Sequence, residues 1–118
     1  MYFHARRLPR GRWNSVIVTG EVDLASLPAY RRELLDAVEQ GLPLEIDLSE
    51  CDLIDSTGLG VTLGAVRKVR ERNGEVRIVT SPRVQRLMER CRLDEILPLV
   101  EATSLDDEVD PLPEACRP

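Results

Sequence analysis

Short runs of β-branched and aliphatic residues alternate along this chain with longer stretches in which apolar residues recur every three or four positions. The first pattern is typical of buried strands and the second of amphipathic helices. Gly, Asn and Pro separate the segments, as expected for turns. The predicted strands are an edge strand at 3–7, followed by strands at 14–19, 44–48, 75–79 and 96–100.

Three amphipathic helices are predicted between these strands. The first begins with Ser26 as its N-cap and stops at Gly41, since glycine commonly follows a helix. The second stops at Asn73 and Gly74. The predicted bounds are 26–40 for the first helix, 57–72 for the second, a start at Ser81-Pro82 for the third, and 105–109 for a final helical turn.

The alternation of strands and helices predicts an α/β fold with a mixed, mostly parallel sheet of four to five strands. Crossover connections between parallel strands are right-handed, so they restrict where the helices can lie. We expect the helices to pack mainly on one face of the sheet. With 118 residues the chain suits one domain, predicted at 1–110, followed by a flexible acidic and proline-rich tail at 111–118.

Charge and cysteine content narrow the function classes. The net charge is -5, with four arginines among the first twelve residues and acidic residues crowded near the end, so general nucleic-acid binding is not expected. The three cysteines, Cys51, Cys91 and Cys116, do not form a disulfide or metal-binding pattern. Reduced thiols in the cytoplasm fit best. No stretch reaches the ~20 apolar residues of a membrane span, so no membrane association is predicted.

One stretch, I-D-S-T-G-L-G at 54–60, does not suit the start of a helix, because each glycine there costs about 1 kcal/mol relative to alanine. On a structural interpretation Ser56 is the N-cap, and Gly58 and Gly60 allow close packing of helix on sheet. On a functional interpretation the turn is an exposed platform that presents Ser56 for modification and opens its backbone to a partner. Both can hold.

Common catalytic patterns are missing around this turn. Ile54 stands where a G-x-S-x-G serine hydrolase has its first glycine, and His4 is the only histidine. The glycines do not match a dinucleotide-binding or phosphate-binding loop. We therefore predict no enzyme activity, no cofactor and no metal site.

Two further expectations concern residues outside this turn. Asp47 and Asp52 are interpreted as turn-capping, solvated carboxylates. Cys51 and Cys91 are expected to be small, buried or half-buried apolar residues.

The order of segments resembles the STAS domains of bacterial anti-sigma factor antagonists. The similarity covers roughly residues 14–109 and rests on GEVD at 20–23, IDLSECDLIDSTGLGVTLGAVRKV at 46–69, EVRIV at 75–79 and RLDEILPLVEATSLDDEV at 92–109. It implies a small STAS-type fold. The chain departs from many members at Cys91-Arg92, where they have a small residue and a glycine.

The resemblance implies a switch. In that family a serine-kinase anti-sigma factor phosphorylates the serine that corresponds to Ser56, which makes Ser56 the expected phosphoacceptor, with Thr57 as a rival. The unphosphorylated form binds the kinase and releases the sigma factor, and a metal-dependent serine phosphatase resets the phosphorylated form. Asp23 matches an acidic residue that touches the partner. The implied partner-binding residues are Asp23, Asp55, Ser56, Thr57, Gly58, Leu59 and Gly60.

Two alternatives remain open from the sequence. The first is a STAS accessory subunit of a lipid-transport ABC system, in which the serine need not be phosphorylated. The second is a large signalling assembly of STAS proteins, although those members usually carry an additional N-terminal domain. We expect a monomer or weak dimer.

Overall fold

The computed structural model describes residues 2–102 of the chain. The predicted helical turn at 105–109 and the tail at 111–118 lie outside this range. In chain order the elements are β1 (Phe3–Arg10), β2 (Trp13–Val22), α1 (Leu27–Gln40), β3 (Leu44–Ile54), α2 (Ser56–Glu71), β4 (Val76–Thr80), α3 (Pro82–Arg90), a single 3-10 turn (Leu93–Glu95) and β5 (Leu99–Glu101).

The five strands form one mixed sheet in the order β1-β2-β3-β4-β5. β1 is antiparallel to β2, and the three remaining pairs are parallel. Each helix connects neighbouring parallel strands and the chain moves across the sheet in one direction, so right-handed crossovers place all three helices on the same face. The predicted α/β fold with a mostly parallel sheet is confirmed.

The hydrophobic core lies between this face and the helices. Val16, Ile46 and Ile78 are paired across the three central strands and are fully buried. α1 packs Tyr30 and Leu34 against them. Burying such side chains contributes about 1.5–3 kcal/mol each, so this layer supplies most of the driving force for folding.

The opposite face of the sheet carries a buried charge network. Glu45 is fully buried on β3, and its carboxylate pairs with Arg77 at 2.7 Å and Arg10 at 3.0 Å. The hydroxyl of Ser15 donates to it at 2.6 Å. Arg77 also lies 4.4 Å from the ring centre of Trp13. Burying a charged carboxylate away from water is energetically unfavourable unless it has an oppositely charged partner and hydrogen bonds. Glu45 has both.

Several predicted strand boundaries differ from the structure, and β1 continues to Arg10 instead of ending at residue 7. β2 continues to Val22 and β3 to Ile54, with register shifts between them. The polar residues of S-E-C-D at 49–52 concealed the end of β3, because an irregular strand lacks a strict two-residue alternation. β5 begins at Leu99, and Ile96, predicted to start it, is exposed.

The expectation for Asp47 was wrong. Asp47 is buried, pairs with Arg10 at 3.0 Å and accepts a hydrogen bond from the backbone N–H of Ser49 at 2.8 Å. It therefore caps a local turn, as expected, but as part of the charge network and not as a solvated group. Cys91 is exposed, contrary to expectation, whereas Cys51 is buried.

Candidate functional site

The candidate site lies at the carboxyl ends of β2 and β3, where α2 begins. The backbone N–H of Asp55 donates to the carbonyl of Val22 at 3.0 Å. This bond joins the last residue of β2 to the residue directly before α2, so the G-E-V-D and D-S-T-G segments are neighbours. The carboxyl edge of a parallel sheet is the usual position of binding sites in α/β folds.

Asp55, and not Ser56, is the N-cap of α2. Its Oδ1 atom accepts hydrogen bonds from the backbone N–H of Gly58 at 3.0 Å and from the hydroxyl of Thr57 at 2.6 Å. The Thr57 bond is the main reason that the pKa of Asp55 is lowered, and the Gly58 bond adds to it. The predicted capping role of Ser56 was wrong because the aspartate one position earlier takes it.

Ser56 is the first residue of α2, and its side chain is exposed. Within the part of the chain that the structure describes, the hydroxyl makes no hydrogen bond. Because Asp55 caps the helix, the Ser56 oxygen is not engaged in capping and is accessible to a reagent that approaches from solvent. The prediction that Ser56 is modified stays a prediction, and the geometry allows it.

The two glycines have different roles. A Cβ on Gly58 would lie 2.6 Å from Cγ1 of Val22 and 2.8 Å from Cγ1 of Ile54, so Gly58 permits close packing of α2 on the sheet. A Cβ on Gly60 would meet nothing within 4 Å. The packing interpretation is correct for Gly58 and wrong for Gly60. Nothing in the described fold requires glycine at position 60, which leaves the open backbone as its feature.

Leu59, between the two glycines, belongs to the core. Its side chain is only 8% exposed and packs in the main hydrophobic cluster. Of the predicted partner-binding residues it therefore offers its backbone more than its side chain.

Asp23 lies in a hydrogen-bonded turn that precedes α1. The Asp23 carboxylate accepts from the N–H of Ser26 at 3.1 Å, and the Ser26 hydroxyl accepts from the N–H of Asp23 at 3.0 Å. Ser26 occupies the N-cap position of α1 but makes no capping hydrogen bond from its side chain, so that part of the prediction was wrong. These bonds fix the turn, and Asp23 directly follows Val22, whose carbonyl accepts from the N–H of Asp55.

Sequence reasoning missed Leu24 as a surface feature of this turn. Its side chain is 72% exposed. The available signal was a leucine directly after G-E-V-D, outside any helical or strand periodicity. A single exposed leucine does not by itself mark an interface, so Leu24 is only a feature of the surface beside the candidate site.

Buried hydrogen bonds also fix the first turn of α2 from below. The hydroxyl of Thr62 donates to the carbonyl of Gly58 at 2.9 Å, and the hydroxyls of Thr62 and Tyr30 lie 2.6 Å apart. Burial raises the pKa of Tyr30 above its ordinary value, so the phenol stays protonated. The position of the candidate site is therefore tied to α1.

No catalytic constellation accompanies Ser56 in the described residues. They contain no group of three or more His, Cys, Asp or Glu side chains that could hold a metal ion. His4 lies in β1, the outer strand of the sheet. Burial raises the pKa of Cys51 to about 11, which keeps the thiol protonated and unreactive. Across residues 2–102, no helix is long and apolar enough to cross a membrane.

Comparisons with known proteins agree with the fold. A family model described as "Mlab, STAS domain" matches residues 12–101. The chain is 36% identical over 83 residues to the anti-sigma-B factor antagonist of Bacillus subtilis, covering 70% of this chain and 76% of the relative. It is 38% identical over 84 residues to the corresponding protein of Listeria monocytogenes, covering 70% and 74%. The crystal structure of an anti-sigma factor antagonist from Mycobacterium paratuberculosis superposes with a TM-score of 0.76 at 25% identity, covering 83% of this chain and 85% of that one.

Proposed function

This chain belongs to the STAS domain family, and we propose on that basis that it is an anti-sigma factor antagonist controlled by phosphorylation of Ser56. The unphosphorylated protein binds an anti-sigma factor, itself a serine kinase, and thereby releases a sigma factor. Phosphorylation ends this binding, and a metal-dependent serine phosphatase restores it. The protein acts by binding rather than by catalysis, as a monomer or weak dimer in the cytoplasm.

One observation carries the proposal: the Ser56 hydroxyl is exposed at the start of α2 and has no hydrogen-bond partner among residues 2–102. The relatives named above are anti-sigma factor antagonists, which favours this function over an accessory role in lipid transport. The proposed partner surface consists of residues that flank Ser56 along the chain or lie in the adjoining turn. They are Asp23, Asp55, Thr57, Gly58, Leu59 and Gly60.

The fold should tolerate a phosphate on Ser56. A phosphoserine carries about -1.5 to -2 charges at pH 7, and the first N–H groups of a helix favour an anion. The partner, in contrast, would meet this charge next to the Asp55 carboxylate and near the turn that contains Asp23. We therefore expect a switch that changes surface charge without refolding the domain.

Incubation with ATP and a candidate serine-kinase anti-sigma factor tests the proposal. We expect wild type to gain the mass of one phosphate and Ser56→Ala to gain none, because the acceptor oxygen is missing. Intact mass spectrometry measures both. Equal labelling of the two proteins would show that another residue is the acceptor.

Replacing Gly60 with alanine separates binding from stability. No atom of the described fold crowds a Cβ at this position, so Gly60→Ala should stabilise the helix by about 0.5–1 kcal/mol. If a partner presses against the open backbone, the added methyl group should weaken binding by roughly tenfold. Urea unfolding and calorimetric titration with the anti-sigma factor measure the two effects.

Two other glycines of α2 provide matched controls. A Cβ on Gly64 would also meet nothing within 4 Å, so Gly64→Ala should stabilise the fold by a similar amount. Gly64 lies one helical turn farther from Ser56 than Gly60, so this variant should leave binding unchanged. Gly58→Ala should destabilise the fold, because its Cβ would overlap Val22 and Ile54. Unchanged binding by Gly60→Ala would exclude Gly60 from the interface.

A further inference from the structure

Two neighbouring hydroxyls at the start of α2 are exposed, and they differ in their hydrogen bonds. Thr57 donates to Oδ1 of Asp55 at 2.6 Å. The hydroxyl of Ser56 has no hydrogen-bond partner among residues 2–102. Exposure alone therefore does not distinguish the two oxygens as acceptors, whereas their contacts do.

Asp55 is held in place by more than Thr57. The same Oδ1 atom accepts from the backbone N–H of Gly58 at 3.0 Å, and the backbone of Asp55 donates to the carbonyl of Val22 at 3.0 Å. The carboxylate cannot turn away from Thr57 without giving up the N-cap of α2. A negative charge is thus fixed within hydrogen-bond distance of one hydroxyl of the pair.

We propose that Asp55 is the specificity-determining residue that excludes Thr57 as a phosphoacceptor and confines phosphorylation to Ser56. The inference rests on the proposed function, since it concerns which oxygen the kinase can modify. It goes beyond that function because it gives Asp55 a role besides contact with the partner.

The same transfer has different consequences at the two positions. At Ser56 the Oγ atom forms a bond to the γ-phosphorus of ATP and the bond from that phosphorus to the bridging oxygen breaks. ADP leaves with the electron pair, and the hydroxyl proton passes to a base of the kinase or to water. At Thr57 the proton lost is the one that Asp55 accepts. The product would place a phosphate against a fixed carboxylate, so repulsion would replace a hydrogen bond.

A kinase-free experiment tests this repulsion. Four phosphoproteins are prepared. Phosphoserine replaces either Ser56 or Thr57, and each of these two proteins is made with the native Asp55 and with Asp55→Asn. Asparagine caps helices about as well as aspartate, so this change removes mainly the charge. Urea unfolding at pH 5 and pH 7.5 gives the unfolding equilibrium constant of each protein. Each value is compared with that of the same protein carrying unphosphorylated serine, which for position 57 is the Thr57→Ser variant.

At pH 7.5 a phosphate at position 57 should raise the unfolding equilibrium constant roughly tenfold, and one at position 56 should change it by less than about twofold. Asp55→Asn should remove most of the penalty at position 57. The penalty should shrink at pH 5, because the second phosphate ionisation, with a pKa of about 6, is then largely reversed. Equal penalties at the two positions, or no relief by Asp55→Asn, would overturn the proposal.

A second arm uses any kinase that labels the wild type. Ser56→Ala should stay unlabelled, whereas Asp55→Asn combined with Ser56→Ala should gain phosphothreonine at position 57, mapped by tandem mass spectrometry. If Asp55→Asn alone is still labelled at Ser56, absence of the Thr57 label would also count against the proposal. If no kinase labels the wild type, the proposed function fails, while the unfolding measurements still decide whether Asp55 excludes phosphate from Thr57.

Discussion

Replacing Ser56 with aspartate is expected to weaken binding to the anti-sigma factor by about a hundredfold, equivalent to ~3 kcal/mol. The added carboxylate would stand on the first residue of α2, next to the Asp55 cap, where the proposed partner approaches. Loss of a well-packed contact and repulsion by a second negative charge together can supply this difference. Calorimetric titration of the purified proteins measures it.

A neutral variant of the same size is the matched control. Ser56→Asn adds similar bulk without the charge, so it should weaken binding less than Ser56→Asp. The difference between the two is the electrostatic part, and it should diminish when the salt concentration rises, because salt screens exposed charges. Equal affinities of Ser56→Asp and wild type would contradict the charge switch, and equal losses for both variants would indicate steric exclusion instead.

The general position of the site could be predicted from the sequence because it depends on strand order. Parallel strands align their carboxyl ends, so the α/β alternation places the ends of β2 and β3 at one edge of the sheet, and the observed adjacency of the two strands makes them neighbours. The bond from Asp55 to Val22 is the result. The choice of cap could not be read in the same way, since Asp55 and Ser56 are both favourable capping residues and only backbone geometry decides between them.

The different roles of the two glycines could not be predicted from the sequence either. Gly58 and Gly60 occupy the same short motif, yet one faces Val22 and Ile54 and the other faces open space. Their difference follows from the helical rotation of about 200° between residues two apart, which can be applied only after the helix start is known. That start lies one residue earlier than predicted, at Ser56.

The charged face of the sheet was the largest feature that the sequence did not reveal. In L-E-I-D-L the two-residue period of a strand puts Glu45 and Asp47 on the face opposite Leu44 and Ile46. Polar alternation normally indicates solvent exposure, and here it does not. The arginines that bury these carboxylates come from β1 and β4, far away in the sequence, so no local pattern contains the pairing.

This network leads to the largest expected effect on stability. Arg77→Met should destabilise the fold by about 3 kcal/mol or more, since removing one member of a buried ion pair leaves the other incompletely compensated. Glu45 is fully buried, and Arg77 approaches its carboxylate at 2.7 Å. Methionine preserves an apolar stem against Trp13, which limits the loss of packing. Urea unfolding measures the change.

Arg12 offers a closely matched control, because it too lies over the Trp13 ring and pairs with a glutamate, Glu75. Both members of that pair are more than half exposed, at 57% and 62%. Water and salt compensate exposed charges, so Arg12→Met should have little effect on stability. If Arg77→Met lowered the free energy of unfolding no more than Arg12→Met, burial of Glu45 would not be what makes the charge network important.

A double-mutant cycle of Glu45→Gln with Arg77→Met should give a coupling free energy well above that of Glu75→Gln with Arg12→Met, because only the first pair is removed from water.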